Sequence, residues 1–290
     1  MKKILGSLAL VILLCFSAVG QNSLLTPPSY RYITVDIPNF TAAQVRGINS
    51  FGEVVGVYRT SDTLQHGFLL SYGVLTFLDF PGAVQTLPRC INDQGQIVGM
   101  FLDSSGVYHG FLRAVSGQYS QIDYPGATYT GTRGINNRGQ IVGDYGDPNN
   151  VNIHGFVLSN SKFRVFDFPG AATTQGYGIN DSGVIVGSYT TDSVTLHGYI
   201  DHGNQFTSFD VAGALATELL GLNDLNQSVG YFADNETNHA FLLQQGRVTI
   251  IDPPGASSAL GRAINRLGVI TGSYGDADGN VHGFVAIPGH

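Results

Sequence analysis

Histidine and aspartate recur along this chain at a nearly constant spacing, and both residue types can do chemistry. A histidine beside a carboxylate is half of a catalytic dyad, and the same two residue types are common metal ligands. Pairing two strands across a short loop would place each histidine opposite an aspartate. The predicted pairs are His66 with Asp79, His109 with Asp123, His154 with Asp167, His197 with Asp210, His239 with Asp252, and His282 with Asp36.

The number of these pairs favours a structural role. Copies spread around a repeated fold stand far apart, whereas a metal ion needs three or four ligands within about 2 Å. We therefore interpret the pairs as hydrogen-bonded rungs within the repeats, predict no metal and no cofactor, and expect raised histidine pKa values. The pair of His282 with Asp36 would join the two ends of the domain.

Four arginines occupy equivalent positions, three residues before an asparagine that recurs in every repeat. The full column reads Arg46, Arg89, Arg133, Tyr177, Leu220 and Arg262. One interpretation is structural, with the arginines pairing with carboxylates or capping loop carbonyls. The other is a cationic funnel for a carboxylated or sulfated ligand such as an acidic sugar, because Arg binds such anions through two parallel hydrogen bonds. The candidate ligand-binding residues are Arg46, Arg89, Arg133, Arg262 and Tyr177.

Acidic residues are predicted on the same face as this column, in the loops between the second and third strands of the repeats. These are Asp62, Asp103, Asp144, Asp147, Asp192, Asp234, Asp276 and Asp278. Glu218 is predicted in the connection after Thr217 and has no obvious acidic partner. A polysaccharide-active glycoside hydrolase or lyase would need a pair of carboxylates, so that alternative stays open without assigned catalytic residues.

All of these residues belong to an internal repeat of about 43 residues that occurs six times. Each copy reads as four short strands without helical periodicity, and four strands per 40–50 residues, repeated radially, indicate a β-propeller blade. We predict an all-β fold, a six-bladed β-propeller with four strands per blade and the Ile-Asn strand innermost. The N-terminal strand, at about residues 32–36, would complete the last blade and close the ring.

Two runs of sequence carry a resemblance to a known family. The run from Gly178 to Gly187 reads Gly-Ile-Asn-Asp-Ser-Gly-Val-Ile-Val-Gly, and His239 opens His-Ala-Phe-Leu-Leu. Both resemble the HAF repeat family of bacterial extracellular proteins, although five of the six copies have His-Gly-Phe or His-Gly-Tyr. The resemblance implies export and a repeat fold, and it brings no established activity. The second strand of each copy is also similar to the corresponding strand of kelch blades, which supports the fold alone.

The amino terminus predicts export. Lys2 and Lys3 precede an apolar stretch at residues 4–16 and a small-x-small site at residues 18–20, so cleavage is expected after Gly20. We predict a signal peptide at 1–20, a linker at 21–31 and a single domain at 32–290, secreted or periplasmic and monomeric. No other apolar run approaches the roughly 18 residues of a membrane helix, so membrane insertion is not expected.

The charge balance limits the possible partners. A net charge of -7 disfavours general binding to nucleic acid. The sequence favours an exported binding or interaction module over an enzyme and leaves catalytic activity undecided. Its partner would be a small anionic or carbohydrate ligand, or another protein, bound at the face that carries the blade crossovers and the second-to-third-strand loops.

Overall fold

The structure is a computed structural model that describes residues 29–149 and 152–289. The predicted signal peptide and most of the predicted linker lie outside these residues. Within them the chain forms β-strands and no helix. The first strand, β1, is Tyr30–Val35, so it begins two residues before the predicted domain boundary.

The remaining strands fall into five successive sets of four and a last set of three, which β1 completes. The first set is β2 (Thr41–Ile48), β3 (Val54–Arg59), β4 (Gln65–Ser71) and β5 (Val74–Leu78), and the second is β6 (Gln85–Ile91), β7 (Ile97–Leu102), β8 (Tyr108–Arg113) and β9 (Tyr119–Ile122). Next come β10 (Thr130–Ile135), β11 (Ile141–Gly146), β12 (Ile153–Ser159), β13 (Lys162–Phe166), β14 (Thr173–Ile179), β15 (Ile185–Thr190), β16 (His197–Asp201) and β17 (Phe206–Phe209). The last are β18 (Ala216–Leu222), β19 (Ser228–Ala233), β20 (Asn238–Gln244), β21 (Arg247–Ile250), β22 (Ser258–Ile264), β23 (Ile270–Gly275) and β24 (Val281–Pro288).

The strands form antiparallel sheets around a common centre, which is a β-propeller arrangement. Four sheets have four strands each, and β10–β17 form one eight-stranded sheet whose halves meet where Ile153 faces Thr173. The N-terminal β1 pairs antiparallel with β24, as the sequence predicts. The first strand of each set contacts the first strand of the next, and β22 contacts β2 again. The Ile-Asn strands therefore line the centre.

The recurring Asn-x-x-Gly connects the first and second strands by a tight turn. Asn49 Oδ1 accepts hydrogen bonds from the amides of Phe51 and Glu53, at 3.1 and 3.0 Å. Gly52 takes a φ of 80°, which favours glycine. Asn226 stands at the equivalent position of the fifth copy with a φ of 57°. Asparagine tolerates this left-handed conformation better than most residues, so the turn survives the substitution.

The glycine of each second strand makes room for an aromatic ring. A Cβ atom at Gly56 would lie 2.0 Å from the carbonyl oxygen of Gln44 and 2.8 Å from the ring of Phe68. The ring position is fully buried throughout, at Phe68, Phe111, Phe156, Tyr199, Phe241 and Phe284. Full burial of such a side chain stabilises a fold by about 1.5–3 kcal/mol. The glycine of the second strand and the aromatic residue of the His-Gly-Phe motif in the third strand therefore pack against each other.

The hydroxyl of Thr271 is buried in this core and unsatisfied, and its removal should stabilise the protein. Thr271 is fully buried and its Oγ1 has no hydrogen-bond partner. The equivalent residues of the other copies are Val55, Val98, Val142, Val186 and Val229. We expect Thr271→Val to raise the free energy of unfolding by about 1 kcal/mol in urea denaturation, because burying an unpaired hydroxyl is unfavourable.

Thr132 provides the matched control for that substitution. It is equally buried, but its Oγ1 donates to the carbonyl of Gly99 at 2.5 Å. Thr132→Val should therefore lower the free energy of unfolding by about 1 kcal/mol. A loss of stability in Thr271→Val as large as that in Thr132→Val would contradict the assignment.

Candidate functional site

The structure brings together every histidine and aspartate paired from the sequence. In each pair the histidine Nδ1 lies within hydrogen-bonding distance of a carboxylate oxygen. The distances are 2.9 Å for His66 and Asp79, 2.8 Å for His109 and Asp123, 3.0 Å for His154 and Asp167, 2.9 Å for His197 and Asp210, 2.7 Å for His239 and Asp252, and 2.8 Å for His282 and Asp36. The last pair links the residue after β1 to β24, so it fastens the two ends of the described chain.

Three of these histidines also contact a second carboxylate from the preceding loop. Their Nε2 atoms lie 3.1–3.3 Å from an aspartate oxygen, in the pairs His109 with Asp103, His239 with Asp234, and His282 with Asp276. The pKa of His109 is raised, because hydrogen bonds and charge from Asp123 and Asp103 outweigh the lowering by burial. The pKa values of His239 and His282 are raised by the equivalent carboxylates.

The raised pKa of His109 implies a pH-dependent stability with a definite sign. The stabilisation is fully present below the unfolded value of about 6.5 and is lost as the pH rises through the higher folded value. We expect Asp103→Asn to lower the pKa of His109 and to reduce the unfolding temperature more at about pH 5.5 than at about pH 8.5. NMR titration of the imidazole and thermal melts at both pH values measure this.

Asp62 is the control for that experiment. It occupies the same loop position, where it accepts hydrogen bonds from Thr60 and from the amide of Leu64. No hydrogen bond joins Asp62 to His66 in the described structure, so Asp62→Asn should not produce that pH dependence. A His109 that titrates at or below about 6.5 would contradict the expectation.

The arginine column coincides with a series of β-bulges in the first strands. Each column residue is the extra residue between two paired ones, as Arg133 is between Thr132 and Gly134. A bulge bends the strand and re-aims the side chain of the extra residue. The six residues line one central channel with a cavity of about 130 Å³. We call this set the bulge column: Arg46, Arg89, Arg133, Tyr177, Leu220 and Arg262.

Small residues next to the bulges keep the channel narrow. A Cβ atom at Gly47 would lie 2.9 Å from the Cα atom of Cys90 and 3.1 Å from the carbonyl oxygen of Arg89. Neighbouring first strands therefore pack backbone against backbone. Cys90 is partly buried in this layer, and burial raises the pKa of its thiol. A raised thiol pKa disfavours a nucleophilic role.

Arg133 is already neutralised by a buried carboxylate. Its Nε and Nη2 atoms donate to Asp144 Oδ1 and Oδ2 at 2.6 and 3.2 Å, and Tyr129 donates to Asp144 Oδ2 at 2.9 Å. Burial lowers the pKa of Arg133, but Asp144 outweighs burial and the net pKa is raised. The sequence-based position of Asp144 in a loop is wrong. It lies within β11 and has no exposed surface.

The other three arginines of the column have no such partner. Arg46 is 8% exposed, and its Nη2 donates to Gln44 at 3.0 Å and Gln65 at 3.4 Å. Four buried atoms lack any partner, namely Arg46 Nε, Arg46 Nη1, Arg89 Nε and Arg262 Nε. Among the residues that the structure describes, Arg133 is the only member of the column in an ion pair.

Burial and mutual repulsion make these three cations electrostatically unfavourable. Burial, followed by repulsion from Arg89 and Arg262, lowers the pKa of Arg46 far below its ordinary value. Burial also lowers the pKa of Arg89, to about 9. It lowers the pKa of Arg262 as well. Because guanidinium stays protonated in proteins, the site presents charge that lacks an anion. We call Arg262, Arg46 and Arg89, from the adjacent strands β22, β2 and β6, the arginine arc.

The wall opposite the arginine arc is different in character. Tyr177 and Leu220 occupy the column there, and the Arg133 guanidinium lies 5.5 Å from the centre of the Tyr177 ring. Glu218 is buried behind this wall and accepts a hydrogen bond of 2.5 Å from Tyr231. The sequence-based position of Glu218 in a crossover is wrong, since it lies within β18. The channel is thus cationic on one side only.

The recurring asparagines that open the turns also form a ring around the channel. Each Nδ2 donates to the backbone carbonyl of the next asparagine at 2.9–3.3 Å, through Asn49, Asn92, Asn136, Asn180, Asn223 and Asn265. Asn265 closes the ring by donating to the carbonyl of Asn49 at 3.0 Å. The sequence signal for this ring is that asparagine stands at all six positions. Asp or Ser would also accept the hydrogen bonds of the turn, but neither has an N–H group to donate to the next carbonyl.

The acidic residues that line the cavity stand at the first-to-second-strand turns, and the second-to-third-strand loops that the sequence placed on the ligand-binding face do not line it. In both places the aspartates serve mainly as backbone acceptors. At one mouth Asp93, Asp181 and Asp224 accept the amides of Ser50, Asn137 and Asp181, at 2.7–2.8 Å. In the second-to-third-strand loops, Asp192 accepts the amides of Val194 and Thr195. No group of three or more His, Cys, Asp or Glu side chains suited to a metal ion is found in the described part of the chain.

The comparisons with known proteins support the fold. No family model matches the chain, and no curated protein matches it. The β-propeller domain of the Trilobed protease from Pyrococcus furiosus is similar, with a TM-score of 0.54 and 11% identity over 86% of this chain and 98% of that one. A variant of the Aleuria aurantia lectin in complex with alpha-methyl-L-fucoside gives 0.52 and 11% over 89% and 96%. TolB from Acinetobacter baumannii gives 0.59 and 13% over 82% and 64%.

At these identities the likeness shows the propeller fold alone. Within residues 29–149 and 152–289, no helix is long and apolar enough to span a membrane.

Proposed function

We propose that this chain is an exported six-bladed β-propeller that binds an anionic ligand at the arginine arc. It would be a member of the HAF repeat family, with a signal peptide at 1–20 and a single domain at 32–290, acting in the periplasm or outside the cell as a monomer. The blade count is supported by the six repeats and by the return of β22 to β2. The twelve residues of the His-Asp pairs would join the third and fourth strands within each blade and would have no catalytic role.

The observation that carries the proposal is the set of unpartnered guanidinium atoms in the channel. Buried charges in proteins are normally paired and hydrogen-bonded, yet Arg46, Arg89 and Arg262 keep buried N–H groups without acceptors. A purely structural arginine would resemble Arg133, which has both a carboxylate and good geometry. An anion in the channel would supply the missing counter-charge.

Two features support binding over glycoside hydrolysis or elimination. Asp144 is committed to Arg133 and Tyr129 and has no exposed surface, so it is not available as an acid, base or nucleophile. Glu218 is buried and hydrogen-bonded to Tyr231. A glycosidase needs two carboxyl groups facing the scissile bond, and neither of these faces open space. A carbohydrate partner would therefore be bound through an acidic group, without being cleaved.

A thermal-shift experiment with an anion panel tests the proposal. We expect sulfate, phosphate or glucuronate to raise the unfolding temperature of the purified protein. A ligand at one hundred times its Kd adds about 2.7 kcal/mol, which is about 5–10 °C for a domain of this size. The double variant Arg46→Met with Arg89→Met should lose the shift.

Arg247→Met is the matched control, because Arg247 is an exposed residue of the outer strand β21. It makes the same kind of substitution away from the channel, removing one positive charge, and should keep the full shift. The proposal fails if no anion raises the unfolding temperature, or if the double variant responds as the unmodified protein does. The first result would leave a protein partner as the remaining interpretation.

A further inference from the structure

We infer that the group bound at the arginine arc is a compact tetrahedral oxyanion with two negative charges, either free sulfate or phosphate or the end of a phosphate monoester. This inference rests on the proposed function and specifies its ligand chemistry. Three properties of the site carry it: its unbalanced charge, the placement of its arginines on three sides and its volume.

The net charge at the level of the bulge column favours a ligand with two negative charges. At the level of the bulge column stand four arginines, and the buried carboxylates beside them are Asp144 and Glu218. Two positive charges are left unbalanced. The other charged lining residues are Arg266, Asp93, Asp181 and Asp224, which lie four residues further along, at a rise of about 3.3 Å per residue. The three aspartates there are bonded to backbone amides. A monocarboxylate would leave one buried cation without a counter-charge.

The placement of the guanidinium groups favours a ligand whose oxygens point in several directions. Arg46, Arg89 and Arg262 line the cavity from the first strands of three successive sheets, β2, β6 and β22. A carboxylate offers two oxygens in one plane, which suits a single guanidinium fork. A tetrahedral oxyanion directs its oxygens to separate corners, so it can accept from guanidinium groups on three sides at once.

The volume limits what can enter between the arginines. The cavity of about 130 Å³ is smaller than the 300–1,000 Å³ typical of drug-sized ligands. A sugar acid carries its carboxylate directly on the ring, so the ring would have to enter as well. A phosphate monoester places its charged group one oxygen away from the body, which can stay outside the channel.

The opposite wall favours one side of the cavity. The negative charge of Glu218 is close enough to raise the pKa of Tyr177 and to oppose the lowered pKa of Arg262. An anion is therefore repelled from the Tyr177 side and drawn to the arginine arc. Leu220 offers no donor to compete.

Isothermal titration with matched probes tests this inference. The probes are inorganic sulfate, inorganic phosphate, methyl phosphate, methyl sulfate, acetate and glucuronate. Methyl sulfate has the tetrahedral shape with a single charge, whereas methyl phosphate is doubly charged above its second pKa of about 6. At about pH 8 we expect the dianions to bind about tenfold or more tightly than methyl sulfate, acetate and glucuronate, a difference of about 1.4 kcal/mol or more.

The outcomes separate this inference from the proposed function. Binding of methyl phosphate together with sulfate identifies an ester as a possible source, and binding of the inorganic ions alone identifies a free ion. In either case Arg46→Met should weaken sulfate about tenfold or more, and Arg247→Met should not. If acetate or glucuronate binds as tightly as sulfate and loses affinity in Arg46→Met, the inference is overturned while the proposed function stands. If none of the anions binds, both fail.

Discussion

Arg133→Met is expected to lower the free energy of unfolding by about 3–5 kcal/mol, because it leaves the Asp144 carboxylate buried without its cation. The pair is bidentate and Asp144 has no exposed surface. Urea denaturation of the purified protein measures the loss. The same substitution at Arg46 should leave the free energy of unfolding unchanged or raise it, because Arg46 is not paired with a carboxylate that would lose its cation.

A double variant controls for the size and shape of the new side chain. Replacing both partners, as Arg133→Met with Asp144→Leu, should recover most of the lost stability, since an apolar pair of similar volume is often neutral relative to a buried ion pair. If Arg133→Met alone stays within about 1 kcal/mol of the unmodified protein, the two kinds of arginine in the column are not distinct.

Asn136→Ala is expected to lower the free energy of unfolding by about 3 kcal/mol. The substitution removes the donor to the carbonyl of Asn180 and the acceptor for the amides of Arg138 and Gln140. Each buried polar group that loses its partner costs about 1–3 kcal/mol. Denaturant unfolding of the variant measures the effect.

Asn136→Asp separates the two roles of this side chain. It keeps the acceptor of the turn but loses the amide donor to the carbonyl of Asn180, so its stability should fall between those of the alanine variant and the unmodified protein. An alanine variant within about 1 kcal/mol of the unmodified protein would show that the asparagine ring adds little.

Local rules were enough to predict the register of the outer strands. A short loop fixes which residues of two strands oppose each other, and Ser71 faces Val74 and Phe68 faces Phe77 as that rule requires. Continuing the same register one step brings His66 to Asp79.

The site depended on irregularities that have no local signal. Strand alternation assigns each residue to one face of the sheet, but a bulge at Arg133 breaks the alternation and turns the side chain into the channel. Counting loops by their acidic residues misplaced Asp144, because its partners Arg133 and Tyr129 are distant from it in the sequence. The sequence therefore predicted which arginines share a column, but not that Arg133 alone is neutralised.

The most direct test of the channel site is a crystal of the protein soaked in selenate, with anomalous diffraction used to locate selenium. The arginine arc predicts one strong peak inside the channel, within hydrogen-bonding distance of Arg46, Arg89 and Arg262, and no peak there in crystals of Arg46→Met with Arg89→Met. A channel without a peak, in crystals where selenate occupies other surfaces, would contradict the account.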